Sequence, residues 1–206
     1  MLQRTKGRIL LAALVITGMA GTPKNTSLSQ EERKFCLTKM RDSKNAFVHS
    51  LKELSAAQLN YRPTKDDPSI REYVLHIAST EKMLAARLQQ AMNEQARPDQ
   101  RAAIKLSDEE LIRLASDPGY PVLAGLEEQH TMSGASTREA VEAFLSTRNE
   151  QVKYVRNTTE DLRNHIVQLK FGYIDCYQLL LLIPHYSNRY LQEINTIIGK
   201  EGFPRS

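Results

Sequence analysis

Phe171-Gly-Tyr-Ile-Asp-Cys-Tyr-Gln-Leu-Leu-Leu-Leu-Ile-Pro-His-Tyr-Ser-Asn-Arg-Tyr-Leu-Gln-Glu-Ile-Asn-Thr-Ile-Ile-Gly199 is the most apolar stretch of the chain outside its N-terminus. Hydrophobic side chains recur in it at helical spacing, through Leu179, Ile183, Tyr186, Tyr190, Ile194 and Ile197. That spacing predicts a buried or half-buried final helix. Tyr186 and Tyr190 lie four residues apart and share its packed face. His185 and Arg189 form a second pair of the same spacing, rotated by about 100°. Gly199 supplies a stop, followed by a short tail.

Three more long segments carry helical spacing, each behind a serine capping box. Ser29-Gln30-Glu31-Glu32 opens a first helix expected over 30–55, with Phe35, Met40, Phe47, Leu51 and Leu54 inward. Pro63 and Pro68 forbid helix through the following connection. Ser69-Ile70-Arg71-Glu72 opens a second helix carrying Ile70, Val74, Ile77, Leu84, Leu88 and Met92. Tyr73, His76 and Thr80 lie on its flank. Residues 95–136 interrupt the pattern. Within them Ser107-Asp108-Glu109-Glu110 caps a short helix to about residue 116, and Pro118, Gly119, Pro121 and Gly134 punctuate the rest. Ser136-Thr137-Arg138-Glu139 opens a third helix to about 157, with Val141, Phe144, Val152 and Val155 inward. A turn over 158–164 and a short loop lead to the fourth helix. The expectation is an all-α four-helix bundle, with a long crossover connection between helices 2 and 3 that contains a short extra helix. No convincing strand set, internal repeat, Gly-rich phosphate loop or GxSxG is present.

The chain has 206 residues, 41% hydrophobic and 25% charged, which suits one domain with an ordinary surface. Its N-terminus differs from the rest. Arg4, Lys6 and Arg8 precede an apolar run over 9–20 that is too short to span a bilayer, and Gly18-Met19-Ala20 places small residues at a cleavage site. We expect residues 1–20 to be a signal peptide, 21–28 a linker and 29–206 the bundle domain. Export to the periplasm or the exterior follows, without stable membrane insertion after cleavage. An uncleaved anchor and a core helix are the other readings of 1–20. The net charge is +4; removing the three basic side chains of residues 1–20 leaves about +1. Nucleic-acid binders keep a basic patch, so DNA and RNA are disfavoured as partners. Cys36 and Cys176 show no metal-type spacing. They read as two buried thiols, with a disulfide as the alternative in an oxidising compartment.

Several motifs resemble those of the DinB-like family, in the branch found in bacterial exported proteins. Asp175-Cys176-Tyr177-Gln178 is similar to that family's Asp-Ala-Tyr-Gln. Arg189 and Ile194 match its His-x-x-Arg-His-x-x-Gln-Ile, and Phe203-Pro204-Arg205 its tail. Ser69-Ile70 with His76-Ile77 resembles its Trp-Ser-Ile…His-Ile, with Pro68 at the Trp. Leu54-Ser55, Gln58 and Pro63 match its loop. The resemblance covers roughly 28–205. It implies the bundle fold and a divalent metal, nickel or zinc, held by one His on helix 2 and an HxxxH pair on helix 4. It also implies thiol-dependent transferase, isomerase or hydrolase activity. His76 occupies the first ligand position. Tyr186 and Tyr190 stand where the HxxxH pair is expected, and Glu193 replaces the motif Gln.

The residues leave three arrangements open: no metal, which we favour; an altered site using His76 with Tyr186, Tyr190 or His185; and an intact site of the family type. A phenol ionises near pH 10, so a tyrosine ligand at neutral pH suits ferric iron better than zinc or nickel. His185 is one residue off the lost position and serves only if Pro184 distorts the helix. Without metal, the two tyrosine hydroxyls are expected to reach His76 and form a polar network. Tyr73, Arg189 and Glu193 complete the candidate pocket, with Arg189 and Glu193 spaced for an ion pair. His49, His130 and His165 read as structural or solvated. The functions in competition are a small-molecule-binding or structural bundle, a metal-dependent transferase or hydrolase, and a helical interaction module such as a homodimer.

Overall fold

Every serine capping box read from the sequence starts a helix. Ser29, Ser69, Ser107 and Ser136 each accept the backbone N–H three residues on, and Glu32, Glu72, Glu110 and Glu139 return a carboxylate to the serine N–H. Two orphan donors are thereby satisfied at each start. The computed structural model describes residues 27–117, 119, 120, 132 and 134–205. Its helices are α1 (Gln30–Leu51), α2 (Ala56–Leu59), α3 (Ile70–Asn93), α4 (Asp108–Ser116), α5 (Thr137–Asn157) and α6 (Cys176–Ile198), with a 3-10 turn at Pro98–Ala103. The expected signal peptide, the linker up to Thr26, and His130 lie outside the described residues. No described helix is long and apolar enough to cross a membrane.

Three expectations need correction. The first helix ends at Leu51 rather than 55, because Glu53 turns to φ 65 and Ser55 opens α2 with a capping box of its own to Gln58. The buried stripe of α1 is Cys36, Met40, Ser43 and Phe47. Phe35 lies one residue out of that phase, 41% exposed, with the Lys39 ammonium over its ring. The last helix starts at Cys176, not at Phe171. Residues 166–175 instead form an antiparallel hairpin, β1 (Ile166–Leu169) and β2 (Gly172–Asp175), with Leu169 opposite Gly172. Gly172 holds φ 140, a conformation L side chains rarely adopt. Asp175 then caps α6: its Oδ1 accepts from the Gln178 N–H at 2.7 Å, and Gln178 Oε1 accepts from the Asp175 N–H at 3.2 Å.

The bundle is α1, α3, α5 and α6. Tyr177 Oη donates to the Glu32 carbonyl, so the starts of α1 and α6 adjoin. Arg33 of α1 caps the far end of α5 through the carbonyls of Val155 and Thr158. Tyr73 and then His76 along α3 meet Tyr190 and Tyr186, which come in the reverse order along α6. Helices α1 and α6 therefore run one way and α3 and α5 the other. Two parallel neighbours cannot be joined by a tight turn, which accounts for the long 94–136 crossover. Its helix α4 packs on α6 through Leu111 and Ala115, both fully buried. Cys36 and Cys176 are free and buried, and burial pushes both thiols up to about 12.

At the centre of the bundle Arg148 and Glu81 form a fully buried ion pair. Arg148 Nε and Nη2 donate to the two Glu81 carboxylate oxygens at 2.6 and 2.7 Å. Its Nη1 donates to the Met40 carbonyl at 3.0 Å and to Ser43 Oγ, and Nη2 reaches Ser187 Oγ at 3.2 Å. Removing one partner from such a pair leaves an uncompensated buried charge, costing about 3–5 kcal/mol. Arg148→Met should therefore lower the unfolding free energy by that amount in urea titrations. The double variant Glu81→Leu/Arg148→Met should recover most of the loss.

Candidate functional site

Tyr73 and His76 stand one helical turn apart on α3, and Tyr186 and Tyr190 one turn apart on α6. Because the two helices are antiparallel, the pairs meet. His76 Nε2 lies 2.9 Å from Tyr186 Oη, and Tyr186 Oη donates to Tyr190 Oη at 3.2 Å. With that direction the proton between the first two atoms belongs to His76 Nε2. Rotating the hydroxyls reverses the chain and makes the imidazole an acceptor. The rings pack as well as bond: His76 and Tyr190 centroids are 4.4 Å apart, Tyr186 and Tyr190 4.9 Å, Tyr73 and Tyr190 5.9 Å. Tyr186 is buried, while His76 and Tyr190 are half-buried.

Arg189 holds this cluster from behind. Its Nη2 donates to Tyr190 Oη at 2.9 Å, and the guanidinium lies 5.3 Å from the Tyr186 ring centre and 4.8 Å from that of Tyr190. Its Nη1 donates to the Tyr120 carbonyl at 3.0 Å and more weakly to that of Asp117 at 3.4 Å. These acceptors take the place of Glu193, the partner expected from i, i+4 spacing. Glu193 instead stands close enough to Tyr73 to help burial push that hydroxyl up, together with Tyr190 and Asp67. Burial, helped by the nearby Arg189 charge, pushes the His76 imidazole down to about 4. The ring is neutral at pH 7.

A cavity of about 540 Å³ opens in front of the cluster. Tyr73, His76 and Tyr190 form its aromatic wall, and Leu75 and Met132 add apolar surface. Arg62 and Glu72, paired at 2.6 Å, stand at its edge with Asp66. His185 is not part of this site. It is buried, its Nδ1 lies 2.8 Å from the Leu181 carbonyl of its own helix, and the charge it senses is Lys39 on α1. His165 is structural, with Nδ1 2.9 Å from the Ala91 carbonyl. The residues not anticipated are Glu81, Arg148 and Ser187. Their signal was present: Glu81 falls in phase with Ile77, Leu84 and Leu88, and Arg148 in phase with Phe144 and Val155, so each is a charge at a core position.

A four-helix bundle whose two antiparallel helices bring a histidine and two tyrosines together beside an open cavity defines the class. A sequence model of the DinB superfamily matches residues 39–194, and the chain belongs to that superfamily. No curated protein matches it with significance. Among solved structures it is similar to YfiT from Bacillus subtilis, described as "a probable metal-dependent hydrolase with an unusual four-helix bundle topology". The two share 14% identity over 84% of this chain and 89% of that one, with a TM-score of 0.57. At that identity the likeness establishes the fold.

The residues present do not fit the divalent metal that the family implies. Such a centre needs about three N, S or O⁻ donors. Here one imidazole has its Nε2 engaged by Tyr186, the phenols bond to each other, and a guanidinium points at Tyr190. No group of three or more His, Cys, Asp or Glu side chains placed to hold a metal occurs among the described residues.

An imidazole with a folded value near 4 and an unfolded value near 6.5 contributes stability that is complete above pH 6.5 and is lost as pH falls toward 4. At about 1.4 kcal/mol per pH unit, lowering the pH from 7 to 4.5 should remove roughly 2–3 kcal/mol through His76. His185, also pushed down by burial, adds in the same direction. Urea titrations at both pH values should show the His76→Gln variant losing less stability than the parent by that amount.

Proposed function

We propose that this chain is an exported DinB-superfamily bundle that binds a small molecule in the cavity beside His76, using a phenol–imidazole chain where the family resemblance implies a metal. The observation that carries this reading is the 2.9 Å contact between His76 Nε2 and Tyr186 Oη. It engages the His76 imidazole and fills the space between α3 and α6 with uncharged hydrogen-bonding groups. The cavity in front remains open, aromatic on one wall and polar at its edge. That combination of apolar surface with few fixed polar groups is typical of ligand sites. Tyr190 and neutral His76 offer the ligand hydrogen bonds, and the rings of Tyr73 and Tyr190 offer stacking. Export rests on the basic and apolar character of residues 1–20, and the near-neutral remainder gives nucleic acid no basic patch.

The competing activity is metal-dependent hydrolysis, the description attached to YfiT. Elemental analysis separates the two. The protein, purified without a polyhistidine tag and incubated with nickel, zinc, manganese or ferric iron, should retain far less than one metal per chain. One metal per chain, lost in His76→Ala, would overturn the metal-free reading and make hydrolytic assays the next test. As the positive counterpart, Tyr186→His/Tyr190→His should acquire one zinc or nickel per chain, because it restores two imidazoles at i, i+4 spacing opposite His76.

A further inference from the structure

A second cavity, of about 560 Å³, lies between the parallel helices α3 and α5 and shares none of its described lining residues with the first. Gln151 is part of its wall. This side chain is 4% exposed, and neither its amide nitrogen nor its amide oxygen has a hydrogen-bond partner among the described residues. Buried polar groups are satisfied in the great majority of cases, so a carboxamide with both functions idle calls for a partner. The partner that answers it offers one acceptor and one donor in a plane, as a peptide group does.

The rest of the cavity agrees in shape and charge. Ala85 and Ala86 keep the α3 wall low, and Leu88 and Met92 supply apolar surface. Lys82 is the cation among the described lining residues and stands toward the α3 N-terminal end; Asn93 and Glu160 mark the other end. Helical rise separates Lys82 from Asn93 by about 16 Å. An extended chain advances about 3.3–3.6 Å per residue, so four residues span most of that length and the Lys82 and Glu160 side chains bridge the remainder. Glu160 is already anchored by Tyr154 Oη at 2.7 Å, and Glu150 adds a second carboxylate on α5. Lys153 lines a shallow hollow that shares Glu150, Tyr154 and Glu160 with the groove.

We propose that the α3–α5 groove binds short free peptides of about four residues, with the terminal carboxylate at Lys82, the terminal ammonium at Glu160 and a central peptide group on Gln151. Isothermal titration of the full chain with tetra-alanine, its N-acetyl form and its C-terminal amide tests this. Tetra-alanine should bind, and each blocked form should bind at least about tenfold more weakly, since each loses a charge-assisted contact. Lys82→Gln should weaken the free-carboxylate peptide by a similar factor and leave the amide unaffected. Gln151→Met should weaken tetra-alanine about tenfold while the unliganded protein is as stable as the parent or more so, because an unsatisfied buried amide has been removed. A Gln151 with a purely structural role would show the reverse, lower stability and intact binding, and would overturn the assignment. So would no binding at millimolar peptide, indifference to both blocked ends, or binding lost in Tyr190→Phe but kept in Gln151→Met.

Discussion

Arg148 is the point on which the four bundle helices agree. It sits on α5, its guanidinium is paired with Glu81 of α3, and its remaining donors reach α1 at Met40 and Ser43 and α6 at Ser187. Apolar side chains in a bundle repack at modest cost when helices slide. A planar fork with five donors does not, because each donor left without an acceptor inside the core carries a desolvation penalty. The pair adds little net attraction once the cost of removing two charges from water is subtracted. Its effect is to make one register of the four helices much better than its neighbours.

That register builds the candidate site. Ser187 follows Tyr186 on α6, and Glu81 lies five residues beyond His76 on α3. With the helices antiparallel, holding Ser187 against the Glu81 and Arg148 pair brings Tyr186 to His76 and Tyr190 to Tyr73. The site is thus an extension, toward the start of α3, of the polar contacts at the bundle centre. Arg189 extends it further, to the crossover, by joining the Tyr190 hydroxyl to the Tyr120 carbonyl. The far end of the crossover is tied back to α3 where Arg71 donates to the Ala135 carbonyl.

A second arginine organises the opposite end of the molecule. Arg163 meets Glu32 of α1 at 2.6 Å, Asp108 of α4 at 2.7 Å and Asp175 at the start of α6 at 3.0 Å, while its guanidinium lies 4.2 Å from the Tyr177 ring centre. Two of these carboxylates belong to capping residues, Glu32 and Asp175, and the third to the first residue of α4. The helix starts and the hub are therefore one network. It ties α4, within a crossover of some forty residues, to the starts of α1 and α6.

The helix starts were legible because they are local: a serine and the glutamate three residues later satisfy each other without help from the rest of the chain. The four long helices, the short helix in the crossover and the inward stripes of α3 and α5 were legible for the same reason, as was the meeting of His76 with two tyrosines once family motifs aligned them. The hairpin at 166–175 was not. Its two-residue turn is Lys170-Phe171, with none of the usual turn signals at its centre, and its apolar strands merge with the apolar run of α6. Nor were the partners of Arg189 and Gln151 legible. Spacing along one helix names neighbours on that helix, whereas Arg189 chose crossover carbonyls and Gln151 was left facing α3 without a partner among the described residues. Sequence by itself determined where helices begin and which faces are apolar, since both depend on contacts within a few residues. Only the tertiary structure decided which way the helices run, which charges meet in the core and where cavities remain, because those depend on the register between segments far apart in the chain.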